Sequence, residues 1–141
     1  MFFAKLHPLI VHFPVGLLVS GALFELYGRV AREEVAEVAG RFNVRLGFWC
    51  ALPVLVVGFL GMLSLENTEK FQKFLGNHLL AAFSTVLFFL LALLVSRYGR
   101  GRFQIVYYFF LGLGLFSVLA TGFFGGELVH RFGVSTPNFI N

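Results

Sequence analysis

Four long runs of apolar residues dominate the pattern of hydrophobic and polar positions along the chain. They cover about residues 8–27, 44–65, 77–96 and 104–129, and most charged residues lie between them. A helix needs about 20 mostly apolar residues to cross the hydrocarbon core of a bilayer. The pattern therefore predicts an all-α fold, an integral membrane four-helix bundle with alternating up and down helices. The last run is long, so its helix has to tilt, bend or project beyond the bilayer.

The stretches between these runs are short and predict little structure outside the bundle. Residues 28–43 mix arginines and glutamates, which indicates a short surface helix or an extension of the first span. Apolar residues recur at helical spacing within 66–76, so the third helix is expected to begin early. Residues 97–103 predict a tight basic turn. No linker or internal repeat is evident in the sequence, and we predict a single transmembrane domain, 1–141.

The composition agrees with a membrane protein and excludes several other classes. Hydrophobic residues make up 58% of the chain and charged residues 13%, with 20 Phe and no Asp. Soluble domains carry about a quarter charged residues. The net charge of +4 reflects where the arginines lie, and it does not indicate nucleic-acid binding. Cys50 stands alone in an apolar run, where it reads as a small buried hydrophobe, so a disulfide framework is excluded.

Charge asymmetry predicts the direction of the helices. The first and third connections hold most of the basic residues, namely Arg29, Arg32, Arg41, Arg45, Arg97, Arg100 and Arg102. Connections rich in Lys and Arg stay in the cytoplasm, so both termini are expected on the outer side, N-out and C-out. Aromatic side chains that settle at lipid headgroups fall near the same inner ends: Tyr27, Trp49, Tyr98, Tyr107 and Tyr108.

All four histidines fall near the predicted outer face. His7 and His12 lie at the start of the first helix, and His78 lies at the start of the third. His130 ends the fourth helix, and Glu127 precedes it by three residues, on the same helix face. Ionisable groups at membrane depth are costly, so they carry a functional hypothesis by default. The placement of all four histidines near one face of the bundle favours a functional site there.

A structural role is an alternative for each histidine. His7 precedes a proline and could cap its helix at the water interface, while His130 could offset the dipole of a helix C-terminus. His12 lies one turn deeper, where a neutral imidazole needs a partner. It is also about 140° around the helix from His7, so the two are not expected to serve one ligand atom. His78 shares the packing face of its helix.

Two chemistries suit imidazoles on separate helices of one bundle. In the first, haem b is held by axial histidines, with His12 and His78 as the first pair and His7 and His130 as a second. In the second, His12, His78, His130 and Glu127 bind Zn, Cu or Fe directly. A pattern of glutamate and histidine three residues apart resembles half of a carboxylate-bridged metal pair, but its repeat is absent. We expect no catalytic residue.

Glycines on the fourth helix favour haem slightly, because they leave room for a flat macrocycle. They are Gly112, Gly114, Gly122, Gly125 and Gly126. The spacing of Gly122 and Gly126 is equally typical of close helix contact, and a homodimer could form along this face. Glu25, near the inner end of the first helix, is expected to pair with Arg29 one turn later.

The segment at residues 7–14, HPLIVHFP, is specific enough to carry a family resemblance. It resembles the opening motif of a bacterial family of small four-helix membrane proteins, domain of unknown function 2231. The likeness extends to His78 and to the glycine-rich segment 125–129. It implies a multi-pass protein of the bacterial inner membrane. Relatives joined to c-type cytochrome domains imply redox surroundings. Relatives typically have tyrosine where His130 stands and histidine where Phe132 stands.

These observations favour a b-type haem electron-transfer protein with its centre near the outer face. It would pass electrons between a membrane donor such as quinol, the reduced form of a quinone, and an outer partner such as a c-type cytochrome or another respiratory subunit. A non-haem protein that binds or handles metal with the same residues is the first alternative. A non-catalytic accessory subunit is the second, and a stand-alone enzyme is less expected than either. A proton-coupled carrier is disfavoured, because no charged residue lies at mid-membrane depth.

Overall fold

Every long segment that the structure describes is helical. The computed structural model describes residues 2–62, 68–99 and 102–132. Its helices are α1 (Phe2–Ile10), α2 (His12–Ala31), α3 (Glu34–Met62), α4 (Glu69–Tyr98) and α5 (Gln104–Phe132). Because α1 and α2 run on as one span, four helical units are long and apolar enough to cross a membrane. The predicted all-α fold with four spans is confirmed, while the direction of the helices stays a prediction.

The first span begins earlier than the sequence pattern suggested. Its helix starts at Phe2, so Pro8 lies inside α1 and not in the first turn of the span. Between α1 and α2, Val11 keeps right-handed helical dihedral angles, and its backbone bonds to His7 and Val15 are formed. At this point the helical ladder lacks the bond to the Ile10 carbonyl, because Pro14 has no N–H to donate.

The connections are mostly absorbed into the helices. Residues 28–43 form the end of α2 and the start of α3, joined at Arg32, whose φ of 58° ends α2 in the left-handed conformation. The early start of the third span is confirmed, because α4 begins at Glu69 with the Thr68 hydroxyl accepting from the Phe71 N–H. Positions 63–65 of the second predicted span and Arg100 of the third turn lie outside the described residues.

The bundle consists of two helical hairpins. In the first hairpin α2 packs along α3, with α1 against the end of α3, and in the second α4 packs along α5. Contact between the hairpins is much less extensive. A buried apolar cluster joins them at the centre; its members are Leu18, Ala22, Val44, Phe48, Phe89, Ala92, Tyr107, Leu111 and Val118. Large apolar side chains cover the outer faces, as lipid contact requires.

The two hairpins are built alike, although no repeat is evident in the sequence. Gly47 of α3 packs against Leu18, where a Cβ atom would lie 2.9 Å from the leucine Cγ. Gly114 of α5 packs in the same way against Phe89, at 3.0 Å. Leu18 and Phe89, on the first helices of the two hairpins, are 71 positions apart. Gly47 and Gly114, on the second helices, are 67 positions apart. The chain therefore contains two parallel structural repeats, a common plan among membrane proteins.

Candidate two-histidine site

His7 is held firmly against α3. A glycine lies directly beneath its ring, since a Cβ atom on Gly58 would lie 2.7 Å from the histidine Cε1. The Nδ1 atom of His7 is 3.1 Å from the Val54 carbonyl oxygen. A carbonyl can only accept, so Nδ1 carries the proton and donates it. The ring orientation and tautomer are thereby fixed by backbone atoms.

His78 is held in the same manner by the second hairpin. Its Nδ1 donates to the Thr121 carbonyl oxygen at 3.0 Å, and its ring lies over Gly125. The carbonyl and the glycine are four residues apart in both hairpins. Thr121 and Gly125 stand 67 positions after Val54 and Gly58, their counterparts in the first hairpin. The two histidines are thus equivalent residues of the two repeats.

The two rings lie next to each other between the hairpins, in a T-shaped arrangement. Their centroids are 6.4 Å apart and their planes cross at 84°. With Nδ1 protonated and bonded to the backbone, the Nε2 atom of a neutral ring keeps a free lone pair. Within the described residues, no protein group forms a hydrogen bond to Nε2 of His7 or His78. This arrangement is typical of metal-binding histidines, whose second nitrogen is oriented by a backbone carbonyl or carboxylate.

A small cavity lies on each side of the histidine pair. The deeper one, of about 60 Å³, is bounded by both rings and by the Thr85 and Thr121 side chains. The Thr85 and Thr121 hydroxyl oxygens are 3.2 Å apart. The outer one, of about 100 Å³, is bounded by both rings, by Met62 and by apolar residues of the helix ends. We call this end of the bundle, which carries His7 and His78, the histidine end.

The sequence pattern of a known family covers nearly all of this chain. It is the pattern of DUF2231, described as a predicted membrane protein, and it matches residues 4–138. The chain belongs to the DUF2231 family. Comparisons with curated proteins and with solved structures found no match. The resemblance drawn from the opening motif is therefore confirmed, and the DUF2231 protein is a multi-pass membrane protein.

The remaining candidate residues of the DUF2231 protein lie away from the pair. His12 and His130 are exposed, and Glu127 forms an ion pair with Arg131 at 2.7 Å. No three His, Cys, Asp or Glu side chains cluster as a metal site in the parts of the chain that the structure describes. The structure thus brings together His7 and His78, in place of the expected pair of His12 and His78. Ligand roles for His12, His130 and Glu127 stay predictions.

Helix rotation explains why His7 and not His12 faces the bundle. The two residues point to different sides of the first span, so only one can meet α4 and α5. Close approach of α1 to α3 turns His7 inward, and it depends on Gly58 and Gly61, whose Cβ positions would collide with α1 atoms. The depth of a histidine could be read from the sequence, but its facing direction required these contacts.

A second polar pair in the DUF2231 protein was missed by sequence reasoning. Both carboxylate oxygens of Glu25 are 2.6 Å from the Tyr107 hydroxyl. The expected ion pair of Glu25 with Arg29 is wrong, because Glu25 faces the core with no exposed surface while Arg29 is exposed. The available signal was a lone glutamate within an apolar run. Its partner lies 82 residues away and could not be inferred from spacing.

Proposed function

We propose that the protein binds a transition-metal ion between His7 and His78, within the membrane and near the histidine end. One observation carries the proposal: two equivalent imidazoles from the two hairpins lie next to each other, with ring centroids 6.4 Å apart, and each has Nδ1 bonded to a backbone carbonyl. In the described part of the chain Nε2 of each ring forms no hydrogen bond and is not fully buried, so a ligand can reach it.

The spacing of the rings suits a shared ion. A metal–nitrogen bond is about 2.1 Å long, so two rings on opposite sides of one ion have centroids roughly 6.5 Å apart. The observed separation is 6.4 Å. Binding through Nε2 leaves Nδ1 of each ring able to keep its bond to its backbone carbonyl. His7 and His78 would hold one ion between them with both Nε2 atoms directed at it.

The surroundings favour a soft ion of low charge. In the described residues no carboxylate joins the pair as a third metal ligand, and a divalent ion without anionic ligands is costly in an apolar interior. Met62 lines the outer cavity beside both rings. Imidazole suits copper, and a thioether favours its monovalent form. Among Zn, Cu and Fe, we therefore propose Cu(I), and a role in binding or handling copper.

Haem b in an electron carrier is the second candidate. The observation in its favour is that the two imidazoles come from separate helices, as axial ligands of a b-type haem do, and that their ring centroids are 6.4 Å apart. The two cavities beside the rings measure about 60 and 100 Å³. Pockets for ligands of this size begin near 300 Å³, so the hairpins would have to part to admit a porphyrin. Their limited mutual contact makes such parting less costly than opening either hairpin.

Partners follow from these candidates and stay proposals. A haem form would work with a quinone and a c-type cytochrome or another respiratory subunit, in the bacterial inner membrane. A copper form would need an outer-face donor or acceptor of copper. A protein that binds neither would be an accessory subunit. A homodimer along the α5 glycines with open space beside them, Gly112, Gly122 and Gly126, is compatible with each of these.

The test is a titration of detergent-purified protein with Cu(I), together with absorption spectra of the oxidised and reduced protein. We expect one Cu(I) per chain. The variants His7→Ala and His78→Ala should each weaken binding at least tenfold, or about 1.4 kcal/mol. His12→Ala and His130→Ala are matched controls that should bind normally.

Two results would decide against the copper site. Equal binding by the His7 and His78 variants and the parent protein would remove the pair as ligands. A haem spectrum in protein from haem-sufficient cells, lost in His7→Ala and His78→Ala, would establish the second candidate instead. If the same spectrum were lost only in His12→Ala, the pair predicted from the sequence would be restored.

A further inference from the structure

Glu25 occupies a position that is unusual for a carboxyl group. Glu25 has an exposed fraction of 0%, and it lies within a helix that is long and apolar enough to cross the membrane. In the described residues no Lys, Arg or His nitrogen lies within ion-pair distance of it. Removing a carboxylate from water without a cation is costly. A fully buried carboxyl within a membrane span is a candidate functional group.

The contact with Tyr107 indicates how the group is satisfied. The tyrosine hydroxyl lies 2.6 Å from both Oε1 and Oε2 of Glu25. This hydroxyl has one proton, so it can donate to only one of the two oxygens at a time. A proton on the other carboxyl oxygen would let Glu25 donate back to the tyrosine oxygen. Two short contacts to one hydroxyl are thus best satisfied by a pair that holds two protons.

The backbone is shaped to accommodate the glutamate side chain. Gly40 of α3 lies against Glu25, where a Cβ atom would come within 2.5 Å of the glutamate Cγ. The same Cβ would lie 2.7 Å from the Gly21 carbonyl oxygen on α2. Any larger residue at position 40 would push the glutamate out or separate the helices. The close packing of α2 against α3 and the burial of the Glu25 side chain therefore both depend on glycine at position 40.

Tyr107 connects the buried carboxyl to a polar cavity. This cavity, of about 220 Å³, lies at the end of the bundle opposite the histidines, which we call the arginine end. Its polar lining comprises Arg29, Glu37, Arg41, Ser96, Gln104, Tyr107 and Tyr108. On the other side of the pair, the buried apolar cluster that includes Leu18, Phe89 and Val118 separates Glu25 from the histidine end. Proton exchange between Glu25 and water is therefore expected at the arginine end.

The geometry points to a proton-binding site at Glu25, loaded from water at the arginine end through the Tyr107 hydroxyl. In the loading step a cavity water gives a proton to the tyrosine oxygen. The tyrosine O–H bond breaks as a new O–H bond forms on the carboxylate. Tyrosine ends neutral, Glu25 becomes neutral, and the water is left as hydroxide or regains a proton from the bulk. This inference is independent of the proposed copper site.

Charged and titratable groups from three helices face this pathway. Arg29 comes from α2, and Glu37, Arg41 and Arg45 come from α3. Tyr108 comes from α5, and α4 contributes the uncharged Ser96. Glu37 is already paired with Arg41 at 3.4 Å. The positive groups would attract hydroxide and assist return of the proton to the cavity.

Infrared difference spectroscopy of the full-length protein in nanodiscs tests the inference. We expect a band from a protonated carboxyl at neutral pH that is lost in Glu25→Gln and retained in Glu127→Gln, the control with a half-buried carboxyl that is paired with Arg131. On transfer to heavy water the band should exchange about tenfold more slowly in Tyr107→Phe, a barrier increase of about 1.4 kcal/mol. Tyr108→Phe, which alters the same cavity, should exchange at the parent rate.

Three outcomes would overturn the proposal. They are the absence of a protonated carboxyl band that depends on Glu25, an unchanged exchange rate in Tyr107→Phe, and loss of the band when sodium is added at constant pH. The last result would make this a metal-cation site. If Glu25→Gln fails to fold, the Tyr107→Phe variant serves alone. Its carboxyl band should shift through loss of the tyrosine hydrogen bond, and an unshifted band would also count against the site.

Discussion

The histidine end and the arginine end of this bundle differ in how they use the two repeats. At the histidine end the repeats contribute the same residue, and His7 and His78 lie next to each other with matching backbone contacts. At the arginine end the buried Glu25 corresponds by position to the exposed Ser96. One end therefore keeps the symmetry of the repeat, and the other has lost it.

The loss of symmetry follows a change in side-chain volume. Gly40 of the first hairpin corresponds by position to Tyr107 of the second. The glycine leaves space that Glu25 fills, and the tyrosine reaches across from the other hairpin to bond it. A symmetric site between repeats suits a ligand bound equally by both. An asymmetric pair suits a group that takes and releases a proton on one side.

The largest expected effect tests the asymmetric end. Gly40→Ala should reduce the free energy of unfolding by about 3 kcal/mol, because the new Cβ would meet backbone atoms that cannot move away. Gly112→Ala is the control, since a Cβ there has no atom within 4 Å. Denaturant titration in detergent measures both. Equal stability of the two variants would show that α2 and α3 are not packed as closely as described.

A smaller loss is expected when the buried hydroxyl is removed. Tyr107→Phe leaves the Glu25 oxygens without their donor and should lower the free energy of unfolding by about 2 kcal/mol. The double variant Glu25→Leu with Tyr107→Phe should recover part of that loss, since neither polar group then remains. Thermal unfolding followed by tryptophan fluorescence would measure this. A neutral single variant would mean that the pair is not formed.

The glycines beneath the imidazoles test the symmetric end. Gly58→Ala should weaken Cu(I) binding about tenfold, because its Cβ would displace the His7 ring from its carbonyl partner. Gly125→Ala should have a weaker effect, since its Cβ would lie 3.2 Å from the His78 ring instead of 2.7 Å from the His7 ring. Competition titrations measure the Cu(I) affinity of both variants. A larger loss of affinity in Gly125→Ala than in Gly58→Ala would contradict this expected order.

The smallest effect concerns the hydroxyl pair beside the deeper cavity. Thr85→Val removes the contact between Thr85 and Thr121 and should cost about 1 kcal/mol of unfolding free energy. Ser84→Ala, the neighbouring substitution on the same helix, is the control and should be close to neutral. A difference below the error of denaturant titration would contradict a stabilising role for the hydroxyl pair.

The sequence alone determined the elements of this protein and the level of its polar residues. The four spans follow from the length of the apolar runs, because a bilayer leaves the helix as the only stable form for such segments. The opening motif at residues 7–14 identified the family. The early start of α4 was also predictable, since it depends on neighbouring residues and on the Thr68 cap.

The tertiary structure decided which polar residues meet. His12, one turn deeper, was the stronger candidate by depth, and only helix rotation against Gly58 turned His7 toward His78 in its place. Glu25 found its partner in Tyr107, across a hairpin boundary, and not in the neighbouring Arg29. Local hydrophobicity fixes where a helix begins and ends. Its rotation depends on close contacts between residues far apart in the chain, which no periodicity in a single sequence encodes.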